Sequence, residues 1–300
     1  MTYSVVITSY NSVDTIEKVI KGVCELEPKP AEVLILDDCS TDGSVALIQG
    51  LISDLTNFRL IENITNLGQS YSRNLGVQLS ESEIVMFQDD DDISLPSRAL
   101  IHIQSISDGA DFSYVSSLKK YPNGYSVSNI NTDISSDDSS SRAILKHLSV
   151  GSRLPFSGYV FAPSSTLAVR RSAFLGLNGF RIELRRLEDI ELACRALVNK
   201  NVLSWSSKLA VERLHTDGND KSSKSNFFGE LQVIESVKVF LSAKEYFVAK
   251  SMTVIREAYF SKNKFKLLQV SPLGILLILG SPKKLFSITR RIRHDLKQKL

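Results

Sequence analysis

The chain has 300 residues, 43% hydrophobic and 23% charged, with a formal net charge of +3. That length suits one large domain or a domain with an extension, and so small a basic excess does not point to nucleic acid as a partner. The three cysteines, Cys24, Cys39 and Cys194, are odd in number and far apart. This argues against a disulfide framework or a zinc site and fits a reducing compartment.

The opening "MTYSVVITSYN" has no basic lead and no long apolar core, so no signal peptide is expected. "PLGILLILG" at 272–280 falls well short of the roughly 20 residues of a spanning helix. A cytoplasmic protein is the expectation.

The first hundred residues alternate between two hydrophobic periods. "YSVVIT" reads as a buried strand. Asp14 and Glu17 suggest a capping-box-like start to a helix carrying Ile16, Val19, Ile20, Val23 and Cys24. "EVLILD" is a second strand. "GSVALIQGLISDL" is a helix with Val45, Ile48, Leu51, Ile52 and Leu55 on one face. "FRLIE" is a strand, "GQSYSRNLGVQLS" a helix and "EIVMFQ" a fourth strand. Pro96 fits the first turn of the next helix, through about Ile106. Residues 120–142, rich in Ser, Asn and Asp, read as a long loop. "SSTLAVR" is then a strand, "RSAFLGL" a short helix and "EDIELACRALVNK" a longer one. "VLSW" and "LAVERLH" look like two more strands. From Asn226 the pattern turns helical and increasingly basic.

A βαβα rhythm of this kind predicts an α/β fold, with a Rossmann-like, mostly parallel central sheet flanked by helices. Right-handed crossovers bring the strand C-termini to one edge, where ligands of such sheets bind. Thr8, Tyr10 and Asn11 close the first strand, Asp37 and Asp38 the second, and Asp89 to Asp92 the fourth. Four adjacent carboxylates repel one another. They suit either a solvated turn capping the helix at Pro96 or the neighbourhood of a cation, and their place at the ligand edge favours the cation. Mg²⁺ and Mn²⁺ prefer oxygen ligands. In extended chain Asp89 and Asp91 point to one side.

The other signals are individually weak. An exposed Tyr10 can stack on a nucleobase or pack on the following helix. Asp38 can accept the imide N–H of a uracil, or "DDCSTDGS" can be a turn alone. Arg73 can meet a diphosphate or pair with a nearby Asp. Glu188 suits a helix N-terminus. Asp189 is the better general base, and His215 can meet a metal or diphosphate. Gly68 and Gly76 suggest close backbone approach.

"SVVITSYNSVDTIEKVI", "ILDDCSTDGS", "NLGQSYSRNLG", "VMFQDDDDISLP", "SSTLAVRRSAF" and "RLEDIELACRAL" resemble, in order and spacing, the motifs of family 2 glycosyltransferases. The resemblance runs from residue 3 to about 215. It implies a GT-A fold and an inverting transfer of sugar from a nucleotide-sugar, with UDP as the nucleotide, to a hydroxyl of a glycan or lipid-linked acceptor in cell-surface polysaccharide assembly. By position it implies donor binding by Thr8, Tyr10, Asn11, Asp38, Arg73, Asp89 and Asp90. Metal binding falls to Asp91 and His215, acceptor binding to Glu188 and base catalysis to Asp189. With four aspartates in a row, Asp90 and Asp92 are also possible ligands, so the D-x-D register stays open by one residue. No Q-x-x-R-W signature of processive relatives is present, which favours transfer of single sugars.

The expected organisation is a catalytic domain over 1–220, with a nucleotide-binding half at about 1–115 and an acceptor-binding half at about 150–220. A helical, basic extension follows over 221–300. Within it, "SPKKLFSITRRIRHDLKQKL" is a basic amphipathic segment that can lie on an anionic membrane surface. Two other classes remain in view. A nucleotidyltransferase would show a Gly-rich, basic loop after the first strand, whereas "TSYNSVD" has neither Gly nor Lys. A non-catalytic sugar- or lipid-binding scaffold would tolerate loss of Asp91 and Asp189, and both are present.

Overall fold

Alternate residues of the first strands face opposite ways, and that alternation builds two cores. The computed structural model describes residues 1–120, 124, 126–129, 131, 133–136, 163–184, 186–214, 226–241, 246, 249–251, 253 and 254. Strands β1 (Tyr3–Ser9), β2 (Glu32–Asp37), β3 (Phe58–Glu62) and β4 (Ile84–Asp89) are parallel, in the order β3-β2-β1-β4. Helices α1 (Ile16–Cys24), α2 (Ser44–Ile52) and α3 (Gln69–Leu79) connect them. Val5, Ile7, Val33, Ile35, Ile84 and Met86 pack on one face, against α1 and α2. Val6, Leu34, Leu36, Val85 and Phe87 pack on the other, against Val77 of α3. Burial on both faces is why β1, β2 and β4 read as continuous apolar runs rather than half-polar ones.

The second half is a mixed sheet. In chain order it comprises β5 (Asp92–Ser94), α4 (Arg98–Ser107), β6 (Phe112–Lys120), β7 (Ser126–Asn129), β8 (Ile134–Ser135), β9 (Leu167–Arg170), α5 (Arg171–Gly176), α6 (Glu188–Val198), β10 (Leu203–Leu214) and α7 (Asn226–Ser236). The ten-stranded sheet continues from β4 as β9-β6-β10-β5. β9 runs antiparallel to both β4 and β6, β10 is parallel to β6, and β5 is antiparallel to β10. α6 lies on the α3 face and buries Leu192, Ala193, Cys194, Ala196 and Leu197 against Phe112, Tyr114 and Trp205. Glu191 of α6 is fully buried. It accepts hydrogen bonds from Arg181 Nε (2.9 Å), Arg195 Nη2 (2.7 Å) and Ser236 Oγ (2.8 Å), which tie α7 to this face.

Several local expectations change. No side chain caps α1; the Ser12 carbonyl takes the N–H groups of Thr15 (3.0 Å) and Ile16 (2.9 Å), so Asp14 and Glu17 form no capping box. Leu47, rather than Val45, packs with Ile48, Leu51, Ile52 and Leu55. Pro96 precedes the N-cap Ser97 instead of entering α4. The described part of "VLSW" and "LAVERLH", Leu203–Leu214, is one strand whose register shifts between Trp205 and Leu209 and again before Val211. β6 was not anticipated: its Ser-rich sequence breaks the apolar run although its first residues are buried. Part of the expected 120–142 loop is strand, β7 pairing with β6 and β8 with β10. Among the described residues no helix is long and apolar enough to cross a membrane.

Gly76 shows how closely α3 approaches the sheet. A Cβ there would lie 2.4 Å from Val6 Cγ1 and 2.9 Å from its Cγ2. Alanine would gain about 1 kcal/mol of helix propensity but overpack a site where extra carbon costs about 1–3 kcal/mol. Gly76→Ala is therefore expected to lower stability by about 1 kcal/mol net, read as a lower urea midpoint at unchanged slope.

Candidate functional site: the carboxyl edge of the sheet

Two loops are stitched together where β1 and β2 end. Asn11 takes a left-handed φ of 51°, a conformation Asn tolerates. Its N–H donates to Ser40 Oγ (2.9 Å), and its Oδ1 accepts from Thr41 N (2.9 Å). Ser12 N donates to Ser44 Oγ (2.8 Å) and Val13 N to Asp42 Oδ2 (3.1 Å). The segment "DDCSTDGS" is thus a turn that also grips its neighbour. Tyr10 stands on this platform with half its surface exposed, its N–H donating to Asp90 Oδ2 (2.8 Å).

Asp38 is buried and organises the loop before α3. Its Oδ1 accepts from Leu67 N (2.8 Å) and Asn63 Nδ2 (2.9 Å), and its Oδ2 from Gly68 N (2.7 Å). A carboxylate has about four acceptor positions, so one on Oδ2 remains for a further donor. Gly68, at φ 91° and ψ 156°, holds a backbone conformation that a side chain would strain.

The aspartate run is a tight turn between two strands, β4 and β5, that do not pair with each other. Asp89 ends β4, Asp90 and Asp91 turn, and Asp92 starts β5 opposite Arg213 of β10. Arg98 pins it from below, donating to Gln88 Oε1 (2.8 Å), Ser94 Oγ (2.9 Å) and the Phe87 carbonyl (2.6 Å). Asp89, Asp91 and Asp92 each offer an oxygen, all within 4.8 Å of one another. Asp90 differs, because it faces Tyr10 N. The D-x-D pair Asp89 and Asp91 is therefore brought together, and Asp92 joins it.

Arg73, 2% exposed, spans from this run to α6. It donates to Asp89 Oδ1 (2.6 Å) through Nη2 and to Glu188 Oε1 (3.0 Å) through Nη1. The Arg–Asp pair expected of Arg73 is thus formed. Glu188 is turned inward, taking Gln69 Nε2 (2.6 Å) besides Arg73. Asp189 follows at the helix start and accepts from its own neighbour, Ile190 N (2.7 Å). His215 lies outside the described residues, as do residues 281–300. Thr8 pairs in register with Asp89 across β1 and β4 and is buried.

Sequence reasoning missed Arg213, whose Nε donates to Asp92 Oδ2 (3.2 Å), and Gln69. No local spacing marks Arg213, because strand pairing sets its partner.

The charges do not balance. Asp89, Asp90, Asp91, Asp92, Glu188 and Asp189 gather around Arg73, Arg98 and Arg213, among the described residues. Burial raises Asp89, but the Arg73 charge and hydrogen bond hold it below the usual range. Burial, then the charges of Asp91 and Asp89, push Asp90 up to about 7. Burial likewise raises Asp92 to about 7 against the pull of Arg213. Burial and the Glu188 charge raise Asp189 to about 7. Hard oxygen donors with unmatched negative charge fit a divalent cation such as Mg²⁺ or Mn²⁺.

A family model described as "Glycosyl transferase family 2" matches residues 4–174. The chain belongs to glycosyl transferase family 2. It is 25% identical over 197 residues to an uncharacterized glycosyltransferase of Haemophilus influenzae, covering 65% of this chain and 61% of that protein. It is 27% identical over 209 residues to the succinoglycan biosynthesis protein ExoU of Rhizobium meliloti, covering 65% of this chain and 56% of the relative. The chain thus spans less than two thirds of these curated relatives. The crystal structure of S. aureus TarS 1-349 in complex with UDP superposes with a TM-score of 0.64 at 18% identity, over 100% of this chain and 92% of that one. The complex with UDP-GlcNAc gives 0.61 at 21% identity, over 93% and 80%. These likenesses show the fold, and the mixed sheet is the GT-A arrangement expected of the family.

Removing Arg73 would leave the half-buried Asp89 and the buried Glu188 without their cation. Arg73→Met is expected to destabilise the protein by roughly 3 kcal/mol, measured by urea unfolding.

Proposed function

We propose that the protein is an inverting glycosyltransferase moving a single sugar from a UDP-sugar to a hydroxyl of a glycan or lipid-linked acceptor in cell-surface polysaccharide assembly. The observation that carries this is one sheet edge holding three parts: an exposed Tyr10 beside Asp38, an acid run lacking matching charge, and Asp189 linked to that run through Glu188 and Arg73. The complexes of TarS with UDP and UDP-GlcNAc and the succinoglycan role named for ExoU support the donor and pathway class.

Asp89, Asp91 and Asp92 would hold Mg²⁺ or Mn²⁺. When bound, the cation supplies positive charge against a leaving diphosphate. The Tyr10 ring offers a flat surface for the base, and the open position on Asp38 Oδ2 an acceptor for its N–H. Asp189 takes the acceptor hydroxyl proton as that oxygen attacks the anomeric carbon and the bond to the diphosphate breaks. One displacement inverts the configuration. Glu188 holds Arg73 and thereby fixes the start of α6. His215 is proposed to approach the cation or diphosphate. The basic segment 281–300 is proposed to seat the protein on the inner face of the plasma membrane. Deleting it should move the protein from the membrane to the soluble fraction.

Calorimetry with UDP and GDP, with and without Mn²⁺, tests the donor reading. UDP binding that requires Mn²⁺ and is lost in Asp91→Ala is expected; absence of nucleotide binding with metal present would return the fold to the scaffold class. A base must be ionised, and the raised affinity of Asp189 for its proton puts the acidic limb of kcat/KM near pH 7. UDP release from UDP-sugars should therefore rise with pH through that region. Asp189→Asn should lower it by about 10²-fold or more, with UDP binding retained.

A further inference from the structure

Three guanidinium groups face the acid run, and two are buried below it. Arg73 is 2% exposed and held by Asp89, Glu188 and Gln69. Arg98 is 0% exposed and held by Gln88, Ser94 and the Phe87 carbonyl. Arg213 differs. Its side chain is 28% exposed while Asp92, its partner at 3.2 Å, is 1% exposed. The antiparallel pairing of β5 and β10 sets the two opposite each other. From there the guanidinium is in electrostatic reach of Asp92, Asp89, Asp91 and Asp189, which are the acid run and the candidate base together.

We propose that Arg213 is a positioning residue that stands in for the divalent cation: it neutralises the acid run while the donor is away, and passes to the phosphates of a nucleoside diphosphate when cation and nucleotide enter together. This deepens the donor reading given above and rests on it. A cation arriving alone must share Asp92 and its neighbours with a guanidinium of the same sign. A diphosphate brings acceptor oxygens that match the planar fork of Arg. Once the guanidinium turns to them, the carboxylates are left to the cation. Metal and nucleotide then each raise the other's affinity, a coupling that must be reciprocal. The result is a site that discourages cation without substrate.

The test uses the full chain and two variants. Arg213→Gln removes the charge but keeps an N–H donor for Asp92; Arg213→Lys keeps the charge but loses the fork. Mn²⁺ binding without nucleotide is followed by electron paramagnetic resonance, and UDP binding at saturating Mn²⁺ by calorimetry. Thermal melts check that each variant folds. Arg213→Gln is expected to bind Mn²⁺ alone roughly tenfold more tightly and UDP roughly tenfold more weakly, the scale of one charge-assisted hydrogen bond. Arg213→Lys should hold Mn²⁺ as the parent does and still bind UDP more weakly. That result supports the proposal even if the Gln variant does not fold. Parent-like affinity for Mn²⁺ alone in a folded Gln variant, or parent-like affinity for UDP in either folded variant, overturns the proposal and leaves the donor reading standing. A parent that binds no UDP with Mn²⁺ overturns both.

Discussion

The arrangement depends on one buried cation, Arg73, set between Asp89 and Glu188. It joins α3 to the end of the next strand, β4, and to the start of α6, 115 positions along the chain. A buried ion pair is weak evidence of net stability, because desolvating the charges offsets much of their attraction. Its value here is positional. Asp89 begins the acid run and Glu188 precedes Asp189, so one side chain sets the spacing between the proposed cation ligands and the proposed base. Chemistry between two held groups is sensitive to such spacing at the ångström level. Gly76 serves the same end, letting α3 lie on Val6 so that the arginine reaches its partners.

The electrostatics follow from that anchoring. Burial raises Asp90, Asp92 and Asp189 to about 7, near neutrality, while Arg73 keeps Asp89 ionised. Positive charge brought to the run would favour the ionised forms of its neighbours. On the proposed function, loading of the donor side and readiness of the base would then be linked through the field.

Much of the parallel half was legible in the sequence, because strands buried on both faces leave continuous apolar runs and their helices show the helical period. Tyr10, Asp38 and Asp89 to Asp92 could be placed at one edge for the same reason. The mixed half was harder. β6 carries Ser113, Ser116 and Ser117 buried among its apolar residues, and no local rule distinguishes such serines from a loop. Arg213 was overlooked because its partner is set by antiparallel pairing over 121 positions of chain, which no local spacing encodes. The inward turn of Glu188 depends on Gln69 and Arg73 in the same way.

The four aspartates are identical in sequence and occupy four different surroundings: one on Arg73, one on Tyr10 N–H, one in the turn and one on Arg213. A repeat of this kind can lose or gain a unit without altering the types of residue present. In this turn such a change would shift β5 by one position against β10, and strand parity would turn the remaining side chains to the wrong face. Selection therefore acts on the length of the run as much as on its charge, and its members are not spares for one another.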